Sequence, residues 1–120
     1  MATSKTVLTV EDESILAFTL EDMLADLGYA FAGNAATVAQ ALDMIARCDP
    51  DIIVLDVNLR GERSYTVAAE LSRRNKPFVF ATGYGGAEHP DEYSGAITLT
   101  KPFTVTDLAR ALETAGAAIG

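Results

Sequence analysis

The chain has 120 residues, which is enough for one compact domain and too few for a second. Apolar residues make up 49% and charged residues 22%, which is typical of a folded globular protein and excludes a disordered chain. The formal net charge of −8 argues against direct binding to nucleic acid, because such binding requires Lys and Arg side chains that neutralise phosphates.

The sequence carries no sign of export or of membrane insertion. No apolar stretch approaches the roughly 18 residues that span a bilayer, and the first residues do not read as a signal peptide. The single cysteine, Cys48, has no partner for an internal disulfide, which suits a reducing compartment and a structural or neutral role. We therefore expect a cytoplasmic protein that does not bind membranes.

Short apolar runs alternate with stretches of helical period along the chain. This alternation predicts βαβ units and a parallel sheet, with right-handed crossovers that place helices on both faces. The sequence therefore predicts a doubly wound α/β fold. The five expected strands are Thr6–Val10, Tyr29–Ala32, Asp51–Leu55, Pro77–Ala81 and Ile97–Leu99.

Four helices are predicted from apolar positions that recur at helical spacing. Gly28 is expected to end the first helix, and Ser64 is expected to cap the third. Thr104 and Asp107 have the spacing of a capping box for the last helix. The segment 83–95 holds four glycines and a proline without a sustained apolar period, so a further helix there is expected to be short or mobile.

Polar side chains stand where four of the predicted strands end. The carboxyl ends of parallel strands meet at one edge of a sheet, where ligands bind, so these side chains are expected to form one site. They are Glu11 and Asp12 after the first strand, Asp56 after the third, Thr82 after the fourth and Lys101 after the fifth.

The residue types at this edge favour phosphoryl transfer. Three carboxylates held close together repel one another and attract a hard divalent cation, for which Mg²⁺ is well suited. A carboxylate beside Mg²⁺ can act as a nucleophile toward phosphorus. Lys101 and the hydroxyl of Thr82 then supply the positive charge and the hydrogen-bond donor that the migrating group requires.

In these residues the chain resembles the receiver domains of two-component response regulators. The resemblance rests on Val10-Glu11-Asp12-Glu13, on Asp56, on Thr82 and on Lys101-Pro102-Phe103, each at its own strand end. It covers nearly the whole chain. It implies a flavodoxin-like, five-stranded parallel sheet in the order 2-1-3-4-5 with five helices, the fourth of them the short or mobile one.

The resemblance also implies a role for each residue of the site. Asp56 would accept a phosphoryl group from a sensor histidine kinase or a histidine phosphotransfer protein, assisted by Thr82 and Lys101. The Lys101-Pro102 peptide would be cis. The implied Mg²⁺ ligands are Asp12, Asp56 and the backbone carbonyl of Asn58, with Glu11 acting directly or through water.

Two features depart from the usual receiver pattern. Thr98 stands three residues before Lys101, where receivers usually carry an aromatic side chain that moves together with the Thr. The segment Phe80-Ala81-Thr82-Gly83-Tyr84-Gly85 is similar to the signature of a subgroup best known among single-domain regulators of alphaproteobacteria, and we expect Tyr84 to take over part of the switch. Asp56-Val57-Asn58-Leu59-Arg60-Gly61 lacks the usual Met-Pro, so the loop geometry is expected to differ.

Each of these residues also has an ordinary structural interpretation. Asp56 alone reads as a turn cap, and Thr82 reads as a turn hydroxyl. Lys101 and Tyr84 read as exposed surface side chains. Glu11 and Asp12 read as caps of the first helix, a role that does not exclude binding a cation. His89 stands alone in a polar loop, so it is expected to be solvent-exposed and is given no role.

The residues and the resemblance together predict a stand-alone receiver over residues 1–120, with no output domain and no enzymatic activity beyond its own phosphorylation and dephosphorylation. Its output would then be a downstream protein, bound through the weak fourth helix, the fifth strand and the last helix. Two alternatives stay open, the receiver part of a longer regulator and a scaffold that works without phosphorylation. A phosphatase of the aspartyl-phosphate type is disfavoured, because Asp56-Val57-Asn58 follows the third strand rather than the first.

Overall fold

Seven strands and four α-helices make up the computed structural model, which describes residues 5–83, 89–93 and 95–117. The strands are β1 Thr6–Val10, β2 Ala30–Ala35, β3 Ile52–Asp56, β4 Asn58–Leu59, β5 Glu62–Arg63, β6 Phe78–Thr82 and β7 Thr98–Thr100. The α-helices are α1 Ser14–Asp26, α2 Val38–Cys48, α3 Tyr65–Arg73 and α4 Val105–Ala117. None of these helices is long and apolar enough to cross a bilayer.

Five of the strands form one parallel sheet in the order β2-β1-β3-β6-β7. This is the predicted order 2-1-3-4-5, because β6 and β7 are the fourth and fifth strands of that sheet. Among the described residues between β6 and β7, the only helical turn is a 3₁₀ helix at Asp91–Tyr93. The predicted fourth helix is therefore reduced to this short turn in the part of the chain that is described.

The sheet is covered on both faces, and alternate residues of each strand enter different cores. Leu8, Ile53 and Phe80 pack with apolar residues of α2 and α3. On the opposite face, Val54 and Leu99 pack with apolar residues of α1 and α4. Every residue of β3 is buried, as expected of a central strand in a doubly wound sheet.

The strands end slightly later than the sequence predicts. β3 and β6 each begin and end one residue later than predicted, so that Asp56 and Thr82 are their last residues. β2 runs on to Ala35, and it holds one residue more than β1 because the pairing of the two strands shifts between Val7 and Leu8. Gly33 lies at this irregularity with φ +133°, a conformation that residues with a side chain rarely adopt.

A two-stranded hairpin, β4 with β5, follows Asp56 and was not predicted. Its two turn residues, Arg60 and Gly61, have φ values of 52° and 84°, as a tight hairpin turn requires. Arg is an unusual residue for such a turn, so the sequence signal is weak. A tertiary contact supports the turn, because the backbone N–H of Arg60 donates to Oδ2 of Asp12 over 2.9 Å.

One predicted helix cap is present and another is not. Thr104 and Asp107 form the expected capping box, with reciprocal bonds of 3.1 and 3.0 Å. Ser64 precedes α3, but its side chain accepts no capping bond from the first turn of the helix. Its hydroxyl is buried and has no hydrogen-bond partner among the described residues. The backbone of Ser64 is held in place, because its N–H donates to the carbonyl of Val57.

We predict that Gly33→Ala destabilises the protein by roughly 1–3 kcal/mol, because the new side chain would be held at a strained φ. The added Cβ would also lie 2.7 Å from Cε of Met44, which would have to move. Urea unfolding followed by circular dichroism measures the change. Gly95→Ala is the matched control, because its Cβ meets nothing within 4 Å. Equal effects of the two substitutions would contradict this view of β2.

Candidate phosphoryl-transfer site

The ammonium group of Lys101 bridges two buried carboxylates at the carboxyl edge of the sheet. Its Nζ lies 2.7 Å from Oε1 of Glu11 and 3.1 Å from Oδ2 of Asp56. Asp56 and Lys101 continue the alternation that turns Val54 and Leu99 toward α1 and α4, and the side chain of Glu11 meets them there. The structure therefore brings together three of the residues that the sequence assigns to one site.

Backbone hydrogen bonds beyond the strands hold these residues in place. The N–H of Glu11 donates to the carbonyl of Ala35 over 2.9 Å, and the N–H of Lys101 donates to the carbonyl of Thr82 over 2.8 Å. The Lys101-Pro102 peptide is cis, as the resemblance implies. The side chains of the site thus extend from backbone that is anchored to neighbouring strands rather than from free loops.

Asn34 supports the acidic pair and was missed by sequence reasoning. Its Nδ2 donates to the backbone carbonyl of Glu11 over 3.1 Å, and its Oδ1 accepts from the hydroxyl of Thr9 over 2.8 Å. Thr9 is fully buried within an apolar strand. A buried hydroxyl needs a partner, so the polar Thr9 was the available signal that a polar neighbour lies on β2.

Glu11 is the most deeply buried carboxylate of the site, with 2% of its surface exposed. Burial raises the pKa of Glu11 to about 7, the hydrogen bond from Lys101 opposes that rise, and the charge of Asp56 adds to it. Its Oε2 also accepts from the N–H of Glu13, at the start of α1. The predicted capping role of Glu11 is therefore partly present beside its place in the site.

Lys101 keeps its positive charge in this surrounding. Burial alone lowers the pKa of the ammonium group, but the hydrogen bond to Glu11 and the charge of Asp56 outweigh burial and raise it overall. The side chain is 22% exposed, so its charged end is held between the carboxylates while one side still meets solvent. A fixed cation therefore lies directly beside Asp56.

Three carboxylates of the site converge as a cation site requires. Glu11, Asp12 and Asp56 each offer an oxygen atom, and these atoms lie within 4.8 Å of one another. Such an all-oxygen donor set fits a hard divalent cation such as Mg²⁺. Asn58, the fourth predicted ligand residue, begins β4 and donates its N–H to Oδ1 of Asp56 over 3.3 Å.

Two residues of the predicted site remain, Thr82 and Tyr84. Thr82 is buried at the end of β6, beside the strand that ends in Asp56. Tyr84 lies outside the described residues, so its role in the switch stays a prediction.

The expectation for His89 was wrong, because its ring is half-buried and bonded on both sides. Its Nδ1 lies 2.7 Å from the hydroxyl of Tyr65, and its Nε2 lies 3.0 Å from that of Thr98. A local sequence pattern does not reveal either partner, because Tyr65 belongs to α3 and Thr98 belongs to β7. The contact arises from the tertiary fold.

The comparisons with known proteins agree on one protein family. Residues 7–113 match the family model described as the response regulator receiver domain. The transcriptional regulatory protein PdtaR of Mycobacterium tuberculosis is 30% identical over 118 residues, which cover 95% of this chain and 58% of that protein. The chain thus spans less than two thirds of this curated relative.

Two matches to solved structures cover a larger share of the matched protein. The solution structure of SdrG from Sphingomonas melonis Fr1 is 41% identical with a TM-score of 0.83, covering 94% of this chain and 97% of that one. The receiver domain of the PhyR response regulator from Erythrobacter litoralis is 28% identical with a TM-score of 0.78, covering 93% and 89%. The predicted fold and the predicted family are both confirmed: this chain belongs to the response regulator receiver domain family.

Proposed function

We propose that this protein is a phosphorylation-switched element of a two-component system in which Asp56 accepts a phosphoryl group from a phosphohistidine. The observation that carries the proposal is the position of Lys101, whose ammonium lies 3.1 Å from Oδ2 of Asp56. A cation fixed beside one carboxylate at a sheet edge is the arrangement that developing phosphoryl charge requires.

The chemistry is a single displacement at phosphorus. An oxygen of Asp56 forms the new O–P bond as the P–N bond to the donor imidazole breaks, which leaves an acyl phosphate on Asp56. Lys101 and the Thr82 hydroxyl donate hydrogen bonds to the oxygens of the transferred group. The phosphoryl group later leaves by hydrolysis or by transfer, so the chain works as a switch rather than as a multiple-turnover enzyme.

Mg²⁺ fits the charge balance of this site. Among the residues that meet here, Glu11, Asp12 and Asp56 supply three carboxylates against the one ammonium of Lys101. These carboxylates and the backbone carbonyl of Asn58 would hold the cation, which supplies positive charge to the phosphoryl oxygens when bound. The residues themselves orient Asp56, because Lys101 and the N–H of Asn58 each bond one of its oxygens.

The phosphodonor has an apolar surface to dock on beside the site. Ile15 and Phe18, which are 79% and 67% exposed, lie in the first turns of α1, a few residues after Glu11. A neighbouring cavity of about 390 Å³ is lined by residues of α1 together with Glu11, Lys101, Pro102 and Phe103. A histidine kinase or phosphotransfer protein that delivers its phosphohistidine to Asp56 therefore contacts this part of α1. The downstream partner is proposed to be a protein that reads the phosphorylated state.

We predict that the protein gains one phosphoryl group when it is incubated with Mg²⁺ and phosphoramidate, as measured by intact mass. Asp56→Asn and a metal-chelated sample should show no gain, because the nucleophile or the cation is then missing. Asp43→Asn is the matched control, since that exposed carboxylate pairs with Arg47 on α2 and should not matter. Absence of any gain in the wild type would overturn the proposal and favour a scaffold that works without phosphorylation.

We predict that the metal-free protein loses stability as the pH rises from about 4.5 to about 7, because Glu11 must ionise in a buried site. The folded state holds this proton more tightly than the unfolded state, so the loss begins near the unfolded pKa and is complete above the folded one. It amounts to roughly 3 kcal/mol.

Glu11→Gln removes this titration and still offers Lys101 an oxygen acceptor. Its unfolding free energy in a chelating buffer should therefore not fall over that pH range, because the lowered pKa of His89 can only add stability as the pH rises. At the alkaline end it should exceed that of the wild type. Glu21→Gln, on α1, is the control and should follow the wild type. Parallel curves for Glu11→Gln and the wild type would show that burial of Glu11 does not set this dependence.

A further inference from the structure

The single histidine of the chain joins two elements that adjoin the phosphoryl-transfer site. His89 bonds Tyr65 through Nδ1 and Thr98 through Nε2, at 2.7 and 3.0 Å. Its ring lies on that of Phe80, with 4.4 Å between the ring centroids, and meets Tyr65 edge-on. The side chains of Tyr65, His89 and Thr98 are called the His89 bridge below.

The donor and acceptor in each hydrogen bond of the bridge can be assigned. The one hydroxyl proton of Thr98 is donated to the backbone carbonyl of Ala96 over 3.2 Å, so its oxygen accepts from Nε2–H of His89. Burial lowers the pKa of His89, which keeps the ring neutral at about pH 7. Nδ1 therefore carries no proton and accepts from the hydroxyl of Tyr65. A single tautomer satisfies the whole chain of bonds.

The two ends of the bridge lie next to the segments that carry the chemistry. Tyr65 begins α3 and follows Ser64, whose N–H bonds the carbonyl of the residue after Asp56. Thr98 begins β7 and lies three residues before Lys101. The bridge thus connects the chain that leaves Asp56 with the strand that leads to Lys101.

The middle of the bridge rests on the strand that ends in Thr82. Phe80 pairs directly with Thr98 in the register of β6 and β7, and it lies two residues before Thr82. Alternate residues of a strand point to the same face, so Phe80 and Thr82 share a face of the sheet. A movement of Thr82 toward a phosphoryl group on Asp56 therefore reaches the ring of Phe80 and, through it, His89.

The start of α3 leaves a bonding requirement unmet in the observed arrangement. The hydroxyl of Ser64 is buried without a hydrogen-bond partner among the described residues. A buried polar group in this condition favours any alternative arrangement that pairs it. Ser64 and Tyr65 are adjacent, so the element that holds one end of the bridge has a physical reason to rearrange.

We propose that the His89 bridge is a latch that holds the unphosphorylated arrangement of β7 and the 3₁₀ helix and opens when Asp56 is phosphorylated. The observed bridge coexists with a direct salt bridge between Lys101 and Oδ2 of Asp56, a contact that a phosphoryl group on that carboxylate would change. Thr98 supplies the β7 end of the latch at a position where the strand carries no aromatic side chain. This inference rests on the proposed phosphorylation of Asp56.

Opening the latch changes a surface that a partner can read. Tyr93 of the 3₁₀ helix stacks on Tyr65, with 5.6 Å between ring centroids and 12° between ring planes. Release of His89 removes one hydrogen bond of Tyr65 and one of Thr98, so the stacked pair and the neighbouring β7 lose their link through the imidazole. Phosphorylation is thereby reported on the side of the domain that carries the 3₁₀ helix.

The first test observes the imidazole directly. Because the chain has one histidine, long-range ¹H–¹⁵N NMR at about pH 7 gives its two ring nitrogens without assignment. With Mg²⁺ alone, the latch predicts one tautomer, with the proton on Nε2. Addition of beryllofluoride, a stable phosphoryl mimic, should move the two nitrogen shifts toward each other as the tautomers exchange.

The second test measures the coupling through affinity for beryllofluoride. A bond that exists only in the unphosphorylated state opposes phosphoryl binding by its own net strength, so its removal should tighten binding roughly two- to tenfold. Tyr65→Phe removes the bond to Nδ1 of His89. Thr98→Val removes the bond to Nε2 together with the local bond to the carbonyl of Ala96, and both variants keep the shape of the side chain. Thr114→Val is the matched control, because that hydroxyl donates within α4.

The outcomes separate the latch from the function on which it rests. If intact mass shows a phosphoryl group on the wild type while the ring nitrogen shifts stay unchanged with beryllofluoride, the latch is overturned and the proposed function stands. Unchanged or weaker binding in both bridge variants overturns it as well. If no phosphoryl group is gained at all, the proposed function fails first, and the latch falls with it.

Discussion

The shared ammonium of Lys101 is the interaction on which the rest of this structure depends. Glu11 and Asp56 are both largely buried and lie close enough to repel each other, and Lys101 sits between them at 2.7 and 3.1 Å. Breaking such a buried group of charges leaves an uncompensated carboxylate, which is costly. Backbone hydrogen bonds to the next strand hold the chain at Glu11, at Lys101 and directly after Asp56, and so keep the three charged groups together. The same excess of negative charge, with the oxygen atoms of Glu11, Asp12 and Asp56 within 4.8 Å of one another, suits a hard divalent cation.

Two contacts connect the elements that carry the site with one another. The β4–β5 hairpin returns toward Asp12 through the N–H of Arg60, so the loop after Asp56 is tied to the acidic pair. On the other side, His89 links the start of α3 to β7 across Phe80. Both contacts join elements that also carry residues of the site. If Asp56 is phosphorylated as proposed, the change of charge would reach neighbouring elements in both directions, as a two-state response requires.

The sequence was sufficient for the sheet and for most of the site, because these depend on local patterns. Apolar runs that end in Glu11, Asp56 and Lys101 locate strand ends, and parallel strands bring such ends together. Other features were beyond local patterns. Arg60 adopts a left-handed conformation that its residue type disfavours, and the bond that supports it is made to Asp12, far away in sequence. The environment of His89 depends on α3 and β7, far apart along the chain, so its polar sequence neighbours gave the wrong expectation.

The measurement that tests the central claim most directly is chemical mapping of the phosphorylated residue. Borohydride reduces an acyl phosphate to an alcohol, so reduction of the phosphorylated protein followed by peptide mass spectrometry marks the acceptor. Asp56 alone should be converted to homoserine, while Glu11 and Asp12 remain carboxylates. Conversion of Glu11 or Asp12 instead, or a phosphate that resists reduction and maps to His89, would contradict the claim.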